Sequence, residues 1–168
     1  EYDAAGRLAG VRDGGGAVVV AYAYDAAGRL RREENGNGTV TTYEYDAAGN
    51  LRRLVNLAAD GTVNSRFEYA YDARGLPRTT TTLDGTWTYA HDGAGQLTRA
   101  TFASTNAAVP NQSLEYRYDA LGNRTAAVVN GVTTTYTAGG LNRYTAVGGV
   151  AQTYDADGNL LSDGTNTY

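Results

Sequence analysis

Cysteine, methionine, lysine and isoleucine are all absent from the chain. Without cysteine there is neither a disulfide framework nor thiolate chemistry, and a metal site would have to be built from oxygen ligands and the single imidazole, His91. Every basic residue is an arginine, and the net charge is -4. A nucleic-acid partner announces itself by a basic excess, so this balance argues against one. No apolar run approaches the ~20 residues that cross a bilayer, so no membrane span is read. A chain without any methionine, starting inside a pattern, reads as a segment of something longer. Two Phe and one Trp stand beside fourteen Tyr, so Tyr, with Leu and Val, is expected to carry the packing.

What is present is a comb. The unit Tyr-x-Tyr-Asp-x-x-Gly-x-Leu occurs as YAYDAAGRL at 22–30, YEYDAAGNL at 43–51, YAYDARGL at 69–76, YAHDGAGQL at 89–97 and YRYDALGNR at 116–124. A degenerate copy is placed at Tyr136 (YTAGGLNRY), YDADGNL follows at 154–160, and the chain opens on EYDAAGRL. The motif residues are therefore Tyr24, Asp25 and Gly28; Tyr45, Asp46 and Gly49; Tyr71, Asp72 and Gly75; His91, Asp92 and Gly95; Tyr118, Asp119 and Gly122; and Tyr154, Asp155 and Gly158. A spacing of 18 to 27 residues between motif positions marks a repeat architecture, because one such unit cannot bury its own face.

Each part of the unit has a mechanical reading. Tyr43 and Tyr45 lie two apart, so a strand turns both rings to one face and Glu44 to the other. Thr41, Thr42, Thr86, Trp87 and Thr88 precede motifs and favour strands. Asp46-Ala47-Ala48-Gly49 reads as a type I turn: Asp bonds its own backbone, and Gly takes the left-handed closing place with a bulge. Between these turns lie others such as Asn35-Gly36-Asn37-Gly38, Asp60-Gly61 and Asn130-Gly131, so the chain alternates strand, Asp-x-x-Gly turn, strand, Gly-rich turn. About fifteen short strands are expected. The fold class is all-β: repeated antiparallel β-hairpins in one long, strongly curved or spiralling sheet, since open sheets beyond ~10 strands curl or split. The alternative is a β-solenoid of similar period.

The series YDAAGRL, YDAAGNL and YDALGNR, with the stretch LNRYTAVGGVAQTYDADGNLLSDGTNTY at 141–168, resembles the YD repeats of the RHS (rearrangement hotspot) proteins, related to those of teneurins and insecticidal toxin-complex subunits. The resemblance runs through the whole chain. It implies a strip of hairpins spiralling into a hollow shell or running on as a fibre, extracellular, secreted or at the cell surface, with an enclosed toxin or surface adhesion as its business. Residues 1–168 are then a single YD-repeat array with no separate catalytic domain. The family's closing motif, rich in Asp-Pro, has no counterpart here, since Pro77 and Pro110 are the only prolines. Neither self-cleavage nor toxicity is therefore assigned to these residues.

Catalytic chemistry finds little support. His91 beside Asp92 has the makings of a general base, but it stands in a motif tyrosine's place and reads as a flat ring in the stack. Asp155-Ala156-Asp157-Gly158-Asn159 resembles the start of a calcium loop, yet position six is Leu160 and position twelve Asn166, where Gly and Glu are needed. Ser65, Ser104, Ser113 and Ser162 lie in no nucleophile elbow. Glu33 and Glu34 point to opposite faces of a strand and cannot share a substrate. No catalytic residue, cofactor or metal is expected. Arg31-Arg32 and Arg52-Arg53 follow turn leucines and are expected to alternate between ring contact and solvent.

The leading expectation is a non-enzymatic structural segment that encloses, extends or presents; the alternative is a carbohydrate-binding or adhesion module using exposed Tyr. Expected partners are the rest of a longer repeat chain, or neighbouring copies through open strand edges, with an encapsulated toxin or glycans beyond them. The chain ends Asn166-Thr167-Tyr168, and end joined to start reads TYEYDAAGRL, matching TYEYDAAGNL at 42–51. The termini thus read as one seam through a motif.

Overall fold

The computed structural model describes residues 1–168 and contains sixteen strands. Two compact units divide it, Glu1–Thr86 with Ser104–Val109, and Trp87–Ala103 with Pro110–Tyr168. In the first, β1 (Gly10–Arg12), β2 (Val18–Tyr24), β3 (Leu30–Asn35), β4 (Val40–Tyr45), β5 (Leu51–Leu57), β6 (Val63–Tyr71) and β7 (Pro77–Thr81) pair antiparallel in chain order. In the second, β9 (Leu97–Ser104), β10 (Gln112–Tyr118), β11 (Arg124–Val129), β12 (Val132–Ala138), β13 (Tyr144–Val147) and β14 (Val150–Ala151) do the same. A separate pair follows, β15 (Thr153–Tyr154) with β16 (Leu160–Ser162). The remaining strand, β8 (Gly85–His91), has its first two residues in the first unit and the rest in the second, and Ser104, the last residue of β9, also falls in the first. Antiparallel pairing of consecutive strands rules out the solenoid, whose stacked rungs would pair strands in parallel.

The turn chemistry is local and repeats. At the hairpin joining β4 and β5, the Asp46 N–H donates to the Asn50 carbonyl at 2.9 Å, and the Gly49 N–H to the Asp46 carbonyl at 3.1 Å. Gly49 sits at φ +91°, which costs a residue with a Cβ about 1 kcal/mol or more. The same pair of bonds closes the turns at Asp3, Asp25, Asp72, Asp92, Asp119 and Asp155. At each motif tyrosine the strand register slips by one, between Glu44 and Tyr45 for example, and likewise at Tyr24, Tyr71, Tyr118 and Tyr154. A bulge of this kind bends the strand and adds right-handed twist. Each of these five Tyr-Asp hairpins therefore carries the local cause of curvature in the same place.

Two frames differ from the reading of the sequence. In the third complete motif Pro77, not Leu76, pairs with Tyr71, because the place after the left-handed Gly75 belongs to the turn and Leu76 fills it. In the degenerate copy Asn142 takes the left-handed place at φ +59° and Ala138 pairs with Tyr144. Ala138 is thus the counterpart of the Tyr before Asp, and Tyr136 the counterpart of the first Tyr of the unit.

The register sorts side chains by face. In the first unit Tyr22, Glu33, Thr41, Asn56 and Ser65 stand in one cross-strand row, with Tyr43, Leu54 and Phe67 in the next. The opposite face carries Arg32, Thr42, Val55 and Arg66, then Glu44, Arg53 and Glu68. Burial is thin: Val40, Val55, Ala100, Phe102, Ala126 and Ala127 form the buried set, and none of the repeat tyrosines joins it. Half-buried rings and the ladder of backbone hydrogen bonds carry the rest, so of the Tyr, Leu and Val expected to carry the packing only Val40 and Val55 are fully buried.

One glycine is required by contact rather than by dihedral. A methyl on Gly36 would overlap the carbonyl oxygen of Val18, whereas one on Gly61 would meet nothing within 4 Å. Gly36→Ala is expected to destabilise by about 2 kcal/mol through forced displacement of packed backbone. Gly61→Ala, strained only by φ +85°, is expected to lose about 1 kcal/mol. Urea midpoints of the two variants give the comparison.

Candidate functional site: the tyrosine-aspartate ladder

Within each unit the motif residues form contacts that run from one Tyr-Asp hairpin to the next. The hydroxyl of Tyr45 donates to the backbone carbonyl of Leu30 at 2.8 Å. Tyr24 donates to Leu8 at 2.7 Å, Tyr71 to Leu51 at 2.7 Å, Tyr118 to Leu97 at 2.8 Å and Tyr154 to Tyr144 at 2.9 Å. In every case the acceptor is the first residue after the preceding turn. A phenol thus clasps the hairpin before its own. Where the copy is degenerate and Ala138 has no hydroxyl, Tyr144 stands in by accepting from the Arg124 N–H at 3.0 Å. His91 is half-buried at the end of β8 and brings no hydroxyl to the motif place.

The aspartates do a different job. Oδ1 of Asp25 accepts the N–H groups of Ala27 and Arg29 at 2.9 Å each, and Oδ2 accepts Arg29 Nε at 2.8 Å. Asn50 caps Asp46 Oδ2 at 3.0 Å, Gln96 caps Asp92 at 2.9 Å, Asn123 caps Asp119 at 3.0 Å and Asn159 caps Asp155 at 2.8 Å. In the turn where Leu76 cannot cap, Arg74 reaches Asp72 Oδ2 at 3.1 Å instead. These carboxylates are committed to the turn, Asp92 and Asp155 included. That arrangement gives Asp92 a structural task beside His91 and leaves Asp155 poorly disposed to act as a calcium ligand.

Hydrogen bonds from backbone N–H groups, then from the capping side chain, hold Asp3, Asp25 and Asp92 below the ordinary carboxylate value, and the Asn caps lead the same shift in Asp46, Asp119 and Asp155. Asp72 is lowered chiefly by the Leu76 N–H. A carboxyl whose folded value is depressed stabilises the fold above its unfolded value, here 3.8, and that stability is lost as pH falls through the folded value. With seven turns shifted the same way, the urea midpoint is expected to hold from neutral pH down to about 5 and to fall steeply below 4. Circular dichroism at stepped pH measures it, and Asp46→Asn should flatten the acid limb.

Arginine supplies the third element. Arg29, besides capping Asp25, lies over the Tyr45 ring at 4.6 Å, and Arg7 lies over Tyr24 at 4.4 Å. Arg143 covers Tyr154 at 4.7 Å, and Arg124 sits between Tyr116 at 4.9 Å and Tyr136 at 5.5 Å. The stacking arginines are therefore those inside turns or at the first strand position. Arg32 pairs with Glu34, and Arg52 and Arg53 with Glu44, in solvent-facing ion pairs, each of which contributes little. The carbonyl acceptors and the capping place after Gly were not singled out from the sequence. The signal for the cap was there: that place is Arg7, Arg29, Asn50, Gln96, Asn123 and Asn159, with Leu76 the exception.

Against known proteins, the RHS Repeat family model matches residues 2–35 and 24–63. Among solved structures the chain is similar to the Tc holotoxin pore of Photorhabdus luminescens, with a TM-score of 0.74 and 22% identity over 95% of this chain and 10% of that one. It is similar also to TcdB2-TccC3-Cdc42, with a TM-score of 0.75 and 22% identity over 99% of this chain and 11% of that one. TcdB2-TccC3 matches at a TM-score of 0.73 and 22% identity, over 99% and 12%. No curated protein matches the chain in sequence. The chain spans about a tenth of the length of these structures, and at this identity they establish a shared fold. The repeat match covers residues 2–63, and the structures share the fold over nearly the whole chain.

Proposed function

We propose that residues 1–168 are a stretch of wall: a single, non-enzymatic YD-repeat array within a longer secreted or cell-surface chain, serving to enclose a cargo such as a toxin. The observation that carries this reading is the clasp. Five phenol hydroxyls are directed to backbone carbonyls of the preceding hairpin, and the turn carboxylates are directed to their own turns. The residues that recur are thus those that join one hairpin to the next, as a wall requires. The shared fold with chains of a Tc holotoxin supports the same reading. An adhesive, glycan-binding surface draws less support, because the repeat tyrosines are half-buried and Tyr2 and Tyr168 are the strongly exposed ones.

Limited proteolysis of the longer chain tests the proposal. A segment that lies inside the wall is expected to resist protease until the clasps are weakened by Tyr→Phe substitution at Tyr45, Tyr71 and Tyr118 together. Cleavage within residues 1–168 at the same rate with and without these substitutions would overturn it.

A further inference from the structure

The turn at Asp46 differs from its neighbours by an opening. In the preceding turn Arg29 makes three contacts at once: it caps Asp25 Oδ2 at 2.8 Å, stacks on Tyr45 at 4.6 Å and reaches the Asp46 carbonyl at 3.4 Å. At the next turn the same place is Asn50, which caps Asp46 Oδ2 at 3.0 Å and whose side chain, three heavy atoms shorter than arginine's, stops there. Gln96 and Asn123 hold the place elsewhere, but both reach across to the following turn. Gln96 Oε1 lies 3.3 Å from where a Cβ of Gly122 would be, and Asn123 Nδ2 bonds Asn142 Oδ1 at 2.6 Å. Beyond Asn50 there is instead an open groove of about 670 Å³, lined by Asp46, Asn50, Tyr71 and Asp72 among others. These are the counterparts of the groups that Arg29 engages one hairpin earlier. Arg52 and Arg74 also line the groove, but Arg52 is held by Glu44 at 2.9 Å and Arg74 by Asp72 at 3.1 Å.

We infer that this groove is a receptor for a guanidinium group, filled by an arginine side chain of a protein segment that docks along the YD-turn edge of the first unit. The incoming arginine takes the position Arg29 takes in the turn before: its fork on Asp46 Oδ2 and the Asp72 carbonyl, its plane on the Tyr71 ring. Arginine is favoured over lysine because the site asks for two divergent N–H groups and a flat cation, where an ammonium offers a point charge. Burial, together with the nearby Tyr69 and Asp46, holds the Tyr71 phenol above its usual range, which keeps it the neutral donor to Leu51 while its face receives the guest.

The test is an NMR titration of the whole 168-residue chain with a blocked Gly-Arg-Gly peptide, following the Tyr71 ring and the Asn50 side-chain amide. Saturable shifts at millimolar peptide are expected, with Gly-Lys-Gly at least about threefold weaker. Asn50→Arg closes the groove from within and is expected to weaken peptide binding tenfold or more. Arg29→Asn opens a second slot, so the Tyr45 ring should begin to respond while Tyr71 still does. Binding unchanged in Asn50→Arg, a Tyr45 ring silent in Arg29→Asn, equal response to the lysine peptide, or no response at Tyr71 would each overturn the inference.

Discussion

Replacing Tyr24, Tyr45 and Tyr71 together by phenylalanine is expected to lower the stability of the chain by about 3 kcal/mol, about one for each hydrogen bond removed. The rings stay, so cross-strand packing and the cover of Arg7 and Arg29 are kept. What goes is the O–H that joins each hairpin to the carbonyl of Leu8, Leu30 or Leu51. The Tyr24 bond is the most exposed of the three, so its single variant should show the smallest effect, with water replacing part of the loss. The three sites share no hydrogen-bonding partner, and the single effects should add to within about 0.5 kcal/mol. Tyr2→Phe, at a strongly exposed residue, is the control and should lie within about 0.5 kcal/mol of the parent. Urea unfolding of these five variants and the parent decides the matter, and equal midpoints would show that the clasp adds nothing to the backbone ladder.

Phe102→Ala is expected to destabilise the second unit by about 3 kcal/mol or more, the usual consequence of deleting a buried ring that the surroundings cannot refill. Phe102 is only 6% exposed, and its ring meets Trp87 at 5.1 Å, while Trp87 stacks on Tyr89 at 6.3 Å. A unit with so few buried side chains has little to collapse into the hole. Because Trp87 is the sole tryptophan, its fluorescence reports the same site directly and should shift in the folded variant. Leu121→Ala offers the contrast: Leu121 is 80% exposed at a turn and should change stability by less than about 0.5 kcal/mol.

Much of the fold was legible because its signals are local. Asp-x-x-Gly specifies a turn through the Asp side chain and one left-handed residue, both of which act within four positions, and the Tyr-x-Tyr alternation then fixes which face each ring takes. The two frames read differently, at Leu76 and at Tyr136, fail for one reason. The turn is counted from its left-handed residue, so a Leu directly after Gly75 is a turn residue, and the left-handed Asn142 moves the tyrosine place to Ala138. The ladder itself was not legible. Each hydroxyl meets an acceptor 10 to 21 residues back, and the acceptor is a backbone carbonyl, which has no sequence signature. Arginine stacking was assigned to the pairs after the turn leucine, since those stand out in the sequence. The capping place after Gly carries the contact instead, because from there the side chain crosses to the next hairpin.

The reading of these residues as a wall is tested most directly by an electron cryo-microscopy map of the longer chain that carries them. Residues 1–168 are predicted to form consecutive antiparallel strands in the wall of a closed body, with density inside it and with the phenols of Tyr24, Tyr45, Tyr71, Tyr118 and Tyr154 on the carbonyls of the preceding hairpins. A map in which the same residues stand as a free strip, enclosing nothing and with these phenols turned to a bound ligand, would contradict the account.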